Sequence, residues 1–155
     1  MNRVDRSKFI EKIREGVAKS GKNYMRELCK TLRTFNNKYD WVGVYVLKGD
    51  TLVLHSYSGE KTEHERISLG DGLCSQAIVL NAIVNEPDVK ANSEYLACFV
   101  NTNSELVVPV RYDGIAVGEI DIDSDTRGAF TKEDESFISE IASEISNVVR
   151  SISLS

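Results

Sequence analysis

Residues 105–123 read ELVVPVRYDGIAVGEIDID, two runs rich in β-branched residues on either side of Asp113-Gly114. An aspartate followed by a glycine favours the tight turn of a hairpin, because both residues tolerate the positive φ angles that such a turn needs. The stretch therefore predicts two antiparallel strands, over 105–111 and 115–123.

The second of these strands carries a row of acids. Glu119, Asp121 and Asp123 alternate with apolar residues, which places the three carboxylates on one face of the strand. Neighbours on that face are about 6.5–7 Å apart, and Glu105 lies at the same end of the partner strand. A cation would relieve the repulsion in this group, either the ammonium group of a ligand or a divalent metal. The alternative is a solvated face of an antiparallel sheet, which often alternates in this way.

The remaining segments predict helices at both ends of the chain. Apolar residues recur at helical spacing in two stretches before residue 36, and Asp71-Gly72 opens a short helix that runs to Leu80. Thr131 and Asp134 fit a capping box at the start of one long terminal helix. Further strands are predicted over 41–47, 51–57 and 82–85. The expected fold class is α+β, an antiparallel sheet flanked by N- and C-terminal helices.

Length and composition limit the class of protein. The chain has 155 residues, 41% of them hydrophobic, and no repeat or low-complexity linker, so residues 1–155 are expected to form a single domain. Its net charge is -5 and its 19 basic residues are scattered, which argues against a nucleic-acid-binding surface. Neither a secretion signal nor an apolar run of about 18 residues occurs, so we expect a cytoplasmic protein without a membrane span.

The three cysteines differ in their surroundings. Cys29 shares the apolar face of the second predicted helix, where a cysteine packs as a small hydrophobe. Cys74 falls in the first turn of the short helix, where the helix dipole stabilises a thiolate, but core packing would explain it equally well. Cys98 lies within 86–103, a long segment of weak periodicity that predicts a loop. Loops of this length are often functional, although Cys98 could also anchor the loop in the core.

A predicted strand places Trp41, Gly43 and Tyr45 on one face, so that the glycine leaves space between two aromatic rings. Such a space fits a small apolar group or a cation, although aromatic residues on strands more often belong to the core. His55 and His64 show no metal-ligand spacing, and the chain holds no Cys-x-x-Cys pair. Neither zinc nor any other metal or cofactor is predicted.

Several of these segments together resemble one family. In chain order they are Trp41-Val42-Gly43-Val44-Tyr45, Gly72-Leu73-Cys74, Leu96-Ala97-Cys98, Ser104-Glu105-Leu106-Val107-Val108-Pro109 and Gly118-Glu119-Ile120-Asp121-Ile122-Asp123-Ser124. Their order and spacing resemble the GAF domain, a PAS-like fold, and specifically the free methionine-R-sulfoxide reductases. The resemblance runs over residues 41–125 and, more loosely, over the flanking helices.

The resemblance implies a role for each matched residue. In the family, the cysteine matched by Cys98 is the nucleophile, and the cysteine matched by Cys74 lies close enough to form a disulfide with it. The carboxylates that bind substrate in the family fall on Glu105, Asp121 and Asp123, and the aromatic pocket wall falls on Trp41 and Tyr45.

The activity that the resemblance implies is reduction of free L-methionine-R-sulfoxide. A Cys98 thiolate attacks the sulfur, methionine leaves, and the resulting sulfenic acid condenses with the Cys74 thiol. A thioredoxin-like protein or another thiol then regenerates Cys98. The terminal amphipathic helices predict a homodimer.

Some positions depart from the family pattern. Members commonly carry another cysteine ten residues before the one matched by Cys74, and this chain has His64 there, which leaves Cys74 as the internal resolving thiol. Residues 93–95 read Ser-Glu-Tyr where the family often has Pro-Gly-His, and Phe99 stands where an acid often follows the nucleophile. Two alternatives stay open, namely a non-catalytic GAF sensor of a small ligand and a thiol redox sensor without a substrate.

Overall fold

The structure, a computed structural model, describes residues 3–92 and 101–155, with side chains from Asp5 onward. Its helices are α1 (Arg3–Ser20), α2 (Met25–Phe35), α3 (Gly72–Leu80), α4 (Lys132–Glu144) and α5 (Ser146–Leu154). Its strands are β1 (Trp41–Lys48), β2 (Thr51–Ser58), β3 (Arg66–Ser68), β4 (Val84–Glu86), β5 (Ser104–Tyr112) and β6 (Ile115–Ser124). Across these two ranges, no helix has the length and apolar character needed to cross a membrane.

The strands form one antiparallel sheet with the order β3-β2-β1-β6-β5-β4. The predicted hairpin supplies β5 and β6, and its turn residues Asp113 and Gly114 have φ angles of 51° and 77°, as the sequence indicated. On its other side β6 pairs with β1, which sets Trp41 opposite Asp123. The predicted α+β fold, an antiparallel sheet with helices at both ends of the chain, is confirmed.

The two faces of the sheet pack against different helices. Valine, leucine and isoleucine side chains of β1, β5 and β6 project from one face into the main core, which α1, α2, α4 and α5 complete. On the opposite face Trp41, Tyr45 and Val107 form a second core cluster with Cys74 and Ile78 of α3. The acidic row of β6 projects from this second face, so it lies under α3 rather than in solvent.

The C-terminal helical segment is divided in two. Thr131 and Asp134 form the predicted capping box at the start of α4. The prediction of one long terminal helix is wrong, because Ile145, with φ −99° and ψ 4°, interrupts the helical backbone between α4 and α5. Ile145 is completely buried, and the break lets α4 lie mainly against β5 while α5 reaches β1.

The edge strands differ from their predicted positions. β3 was not predicted, because three residues are too few to show an alternating pattern. β4 covers Val84–Glu86 instead of 82–85. Within the predicted loop over 86–103, Val89–Ala91 form a 3-10 turn, and residues 93–100 lie outside the described residues.

Tyr39 connects the segment before β1 to the start of α4. Its buried hydroxyl donates a 2.5 Å hydrogen bond to the carboxylate of Asp134, the residue that also completes the capping box. We predict that Tyr39→Phe lowers the free energy of unfolding by about 1.5–3 kcal/mol, because a buried, charged acceptor loses its donor. Urea unfolding followed by far-UV circular dichroism measures the change.

Tyr112→Phe is the matched control. Within the described ranges the Tyr112 hydroxyl has no hydrogen-bond partner, and the Arg150 guanidinium lies 4.2 Å from the centre of a ring that phenylalanine retains. This substitution should change the free energy of unfolding by less than about 0.5 kcal/mol. Equal losses in the two variants would contradict the role given to Tyr39.

Candidate active site

The carboxylates of the β5–β6 hairpin are buried beneath α3. Glu119 is 0% exposed, Asp121 and Asp123 are 3% exposed, and Glu105 is 5% exposed. Glu105 pairs directly with Asp123 across the two strands, so the acids form one cluster. The interpretation of this row as a solvated sheet face is therefore wrong. Acidic side chains are rarely buried without a partner, and the cluster calls for a chemical explanation.

Cys74 projects from the first turn of α3 into the acidic cluster. Its thiol donates to Oδ2 of Asp121 at 3.3 Å, and its Sγ lies 3.9 Å from Oε2 of Glu105. Burial, followed by the negative charges of Asp121 and Glu119, raises the pKa of the Cys74 thiol well above its ordinary value. The sequence left a dipole-stabilised thiolate and a core-packed thiol equally open, and the burial of Cys74 beside these acids favours the neutral, packed thiol. Cys74 is a protonated thiol at neutral pH.

The carboxyl groups in the cluster hold protons unusually tightly. Burial is the largest cause for Glu105, Glu119 and Asp123, whose pKa values lie well above the usual range, and the charge of Asp121 raises the pKa of each further. Burial also raises the pKa of Asp121, but hydrogen bonds with Glu105 and Cys74 oppose that shift. Asp121 is therefore a carboxyl group whose ionised form is favoured by hydrogen bonds with both of these neighbours.

Some oxygens of the cluster lack a partner among the residues that the structure describes. They are both carboxylate oxygens of Glu119 and the Oδ1 atoms of Asp121 and Asp123. A buried polar atom without a hydrogen bond costs about 1–3 kcal/mol of stability. Unsatisfied groups and shifted pKa values of this kind concentrate at functional sites.

Aromatic side chains line one side of the cluster. Trp41 and Tyr45 are 3% and 1% exposed, and their ring centroids are 6.5 Å apart. The Trp41 ring also stacks on Tyr57, with centroids 5.9 Å apart, a neighbour that the sequence analysis missed. The alternation of side chains along β2 could have revealed this neighbour. Tyr57 pairs with Gly43 of β1, so its side chain lies on the same face of the sheet as Trp41 and Tyr45.

The space over Gly43 is filled. A Cβ atom at this position would overlap the Trp41 ring, so the indole lies directly against the glycine backbone. The predicted open space between two aromatic rings is therefore wrong. Both rings are held by hydrogen bonds, from Trp41 Nε1 to the Glu60 carbonyl at 2.9 Å and from the Tyr45 hydroxyl to the His64 carbonyl at 2.7 Å.

Two spaces adjoin the cluster, which we call the inner cavity and the outer recess. The inner cavity has a volume of about 10 Å³, room for one water-sized atom, and is lined by Tyr45, Ile67, Asp71, Gly72, Leu73, Cys74, Glu105 and Asp121. The outer recess has a volume of about 200 Å³ and is lined by Arg33, Asp40, Trp41, Glu60, Asn101, Thr102, Asp123 and Asp125. The acidic cluster therefore borders both spaces.

The structure brings together the predicted site residues that it describes. These are Cys74, Glu105, Asp121, Asp123, Trp41 and Tyr45. The remaining one, Cys98, lies outside the described residues. Glu119 belongs to the cluster, although the resemblance gave it no role. Cys29 is packed in the main core as expected, and burial raises the pKa of its thiol to about 12.

Comparison with known proteins gives consistent results. The GAF domain family model matches residues 22–149. Free methionine-R-sulfoxide reductase of Escherichia coli (strain K12) is 36% identical over 110 residues, which are 71% of this chain and 66% of that protein. The chain thus spans just under two thirds of that relative's length.

Solved structures extend the match over nearly the whole chain. The type II free methionine-R-sulfoxide reductase from Thermoplasma acidophilum is 51% identical, with a TM-score of 0.82, and the match covers 92% of this chain and 96% of that one. The Neisseria meningitidis free methionine-R-sulfoxide reductase, solved in complex with its substrate, is 28% identical, with a TM-score of 0.86 and coverage of 94% and 88%. This chain belongs to the GAF domain family and, within it, to the free methionine-R-sulfoxide reductases.

Proposed function

We propose that this chain reduces free L-methionine-R-sulfoxide to L-methionine, with Cys98 as the nucleophile and Cys74 as the resolving thiol. The observation that carries the proposal is the burial of Glu105, Asp121 and Asp123 around the Cys74 thiol. Such a group can supply both an anion for the substrate ammonium and a proton for the sulfoxide oxygen. The relatives named as free methionine-R-sulfoxide reductases support the choice of substrate.

The outer recess provides room for a single amino acid, whereas the inner cavity does not. Asp123 lines the recess and offers a carboxylate to the α-ammonium group of the substrate. Trp41 lines it too and offers an apolar ring to the end of the side chain that carries the sulfur. A methionine sulfoxide within a protein lacks the free ammonium group, so the acids favour the free amino acid.

The sequence supports Cys98 as the nucleophile. Cys98 stands in the Leu96-Ala97-Cys98 motif, whose cysteine is the nucleophile in the family that the chain resembles. Along the chain it precedes by three residues Asn101, which lines the outer recess.

The first chemical step forms methionine and a sulfenic acid. The Cys98 thiolate attacks the sulfoxide sulfur, the oxygen is protonated, and methionine leaves as oxygen is transferred to the Cys98 sulfur. Glu105 is the proton donor we propose, because its pKa is raised well above the usual range by burial and by Asp121 and Asp123. Asp121, whose ionised form is favoured by its hydrogen bonds with Glu105 and Cys74, holds the ammonium group together with Asp123.

The second step closes a disulfide. The Cys74 sulfur attacks the sulfenic sulfur of Cys98, and the departing hydroxyl group leaves as water. The Asp121 carboxylate, 3.3 Å from Cys74 Sγ, accepts the thiol proton and so activates a group that burial otherwise keeps neutral. A thioredoxin-like dithiol or another thiol then reduces the disulfide and returns both cysteines to their starting state.

The roles of the cysteines can be separated by counting methionine. We predict that Cys98→Ser abolishes methionine formation, because the nucleophile is lost. Cys74→Ser should release about one methionine per chain without added thiol and leave a sulfenic acid that dimedone traps. Chromatography of methionine and mass spectrometry of the protein measure the two results.

Cys29→Ala is the matched control, since Cys29 lies in the main core away from the acids. It should keep wild-type turnover per folded chain. Turnover that survives in Cys98→Ser would contradict the assignment of the nucleophile. A wild-type protein that peroxide oxidises but that never yields methionine would instead indicate a thiol redox sensor.

If Glu105 is the proton donor, its raised pKa determines how turnover depends on pH. A carboxyl group with a raised pKa is protonated below that value and loses its proton as the pH rises through it, so kcat should fall on the alkaline side. Glu105→Gln should lower kcat by about 10²–10⁴-fold, the range of general acid catalysis, and remove that alkaline decline. Steady-state rates measured between about pH 5 and pH 9 test both effects.

Asp113→Asn serves as the control because Asp113 is exposed in the β5–β6 turn and asparagine also tolerates its φ of 51°. Its pH profile should match that of the wild type. If Glu105→Gln keeps the wild-type rate and alkaline decline, another group donates the proton.

A further inference from the structure

We propose that Cys74, Glu105 and Asp121 form a binding site for Zn²⁺, and that the bound metal blocks the reductase reaction. The three residues come from α3, β5 and β6, which explains why no ligand spacing is visible in the sequence. The binding part of this inference is independent of the proposed reaction. The inhibitory part rests on the proposed function.

The ligand atoms are spaced as a tetrahedral zinc site requires. The Cys74 Sγ, a Glu105 oxygen and an Asp121 oxygen all lie within 4.8 Å of one another. Zinc bonds of about 2.3 Å to sulfur and 2.0–2.2 Å to oxygen place two tetrahedral ligands about 3.5 Å apart. The observed separations from Sγ are 3.3 Å to Asp121 and 3.9 Å to Glu105, on either side of that value.

Unpaired oxygens point to a cation at the same place. Oδ1 of Asp121 and both oxygens of Glu119 are buried and have no hydrogen-bond partner in the part of the chain that the structure describes. Glu119 is 0% exposed, and its charge acts directly on the Cys74 thiol. A divalent ion held by Cys74, Glu105 and Asp121 would bring positive charge to these buried oxygens and reduce the repulsion in the cluster.

The donor set selects the kind of ion. One thiolate with two carboxylates matches a borderline cation such as Zn²⁺, whereas Mg²⁺ and Ca²⁺ require shells made of oxygen. The inner cavity between Cys74, Glu105 and Asp121 holds one water-sized atom, which excludes a hydrated ion but admits a bare one.

Bound Zn²⁺ would prevent each proposed step that depends on the cluster. It would occupy the Cys74 thiol, which resolves the sulfenic acid, and the Asp121 carboxylate, which holds the ammonium group. It would also remove the proton of Glu105. The metal in the inner cavity would thus compete with the substrate in the adjoining outer recess for the carboxylates that both require, and inhibition should weaken as the sulfoxide concentration rises.

Direct binding is tested with the reduced, full-length chain and Co²⁺, whose spectrum reports thiolate ligation. We expect one Co²⁺ per chain, displaced by one Zn²⁺, with a sulfur-to-metal absorption band. Cys74→Ser should lose that band, Asp121→Asn should weaken binding at least tenfold, and Cys98→Ser and Cys29→Ala should bind as the wild type does. Absence of binding, or a band that survives in Cys74→Ser or disappears in Cys98→Ser, overturns the site.

Inhibition is tested by a single turnover without added thiol, because thiols themselves bind zinc. Reduced protein mixed with the sulfoxide should release methionine in the presence of EDTA and at least tenfold less with one equivalent of Zn²⁺. No methionine with EDTA would refute the proposed function and leave the Co²⁺ result unaffected. Full methionine release from zinc-loaded protein would refute inhibition alone.

Discussion

Four carboxylates and a thiol lie under a nine-residue helix, and desolvation acts against the ionised form of each group. The fold must hold them there, because like charges in a medium of low dielectric constant would otherwise separate and hydrate. The fold holds them in place because successive side chains of a strand point to opposite faces of the sheet. The same strand that turns its acids toward α3 turns Ile120 and Ile122 into the main core, where both are almost completely buried. Withdrawing the acids would expose the isoleucines.

This arrangement has a thermodynamic consequence for the whole domain. Each acid has a pKa above its value in the unfolded chain, so its contribution to stability is fully present below about pH 4 and is lost as the pH rises through the raised value. The raised pKa values therefore lower the free energy of unfolding at neutral pH, and they also keep carboxyl protons inside the cluster. Such an exchange of stability for function is common in active sites.

Much of the fold could be predicted because its elements carry strong local signals. The Asp113-Gly114 turn fixed the hairpin, and the Thr131 capping box fixed the start of α4. The break at Ile145 could not be predicted, because neither glycine nor proline marks it and Ile145 continues the helical spacing of buried apolar residues. At the site, the alternating sequence of β6 predicted that its acids share one face of the sheet. It could not predict that this face is buried, because the burial depends on the position of α3 in the folded chain.

The thiols illustrate the same difference between pattern and environment. The first turn of a helix favours a thiolate, yet Cys74 is neutral because the tertiary structure places Asp121 and Glu119 beside it. Trp41 shows a further consequence of the packing. It is the single tryptophan of the chain, and its ring lies on Gly43 and stacks on Tyr57 at the edge of the acidic cluster. The tryptophan emission of the protein thus arises beside the proposed active site, so the molecule carries its own optical reporter of ligand entry.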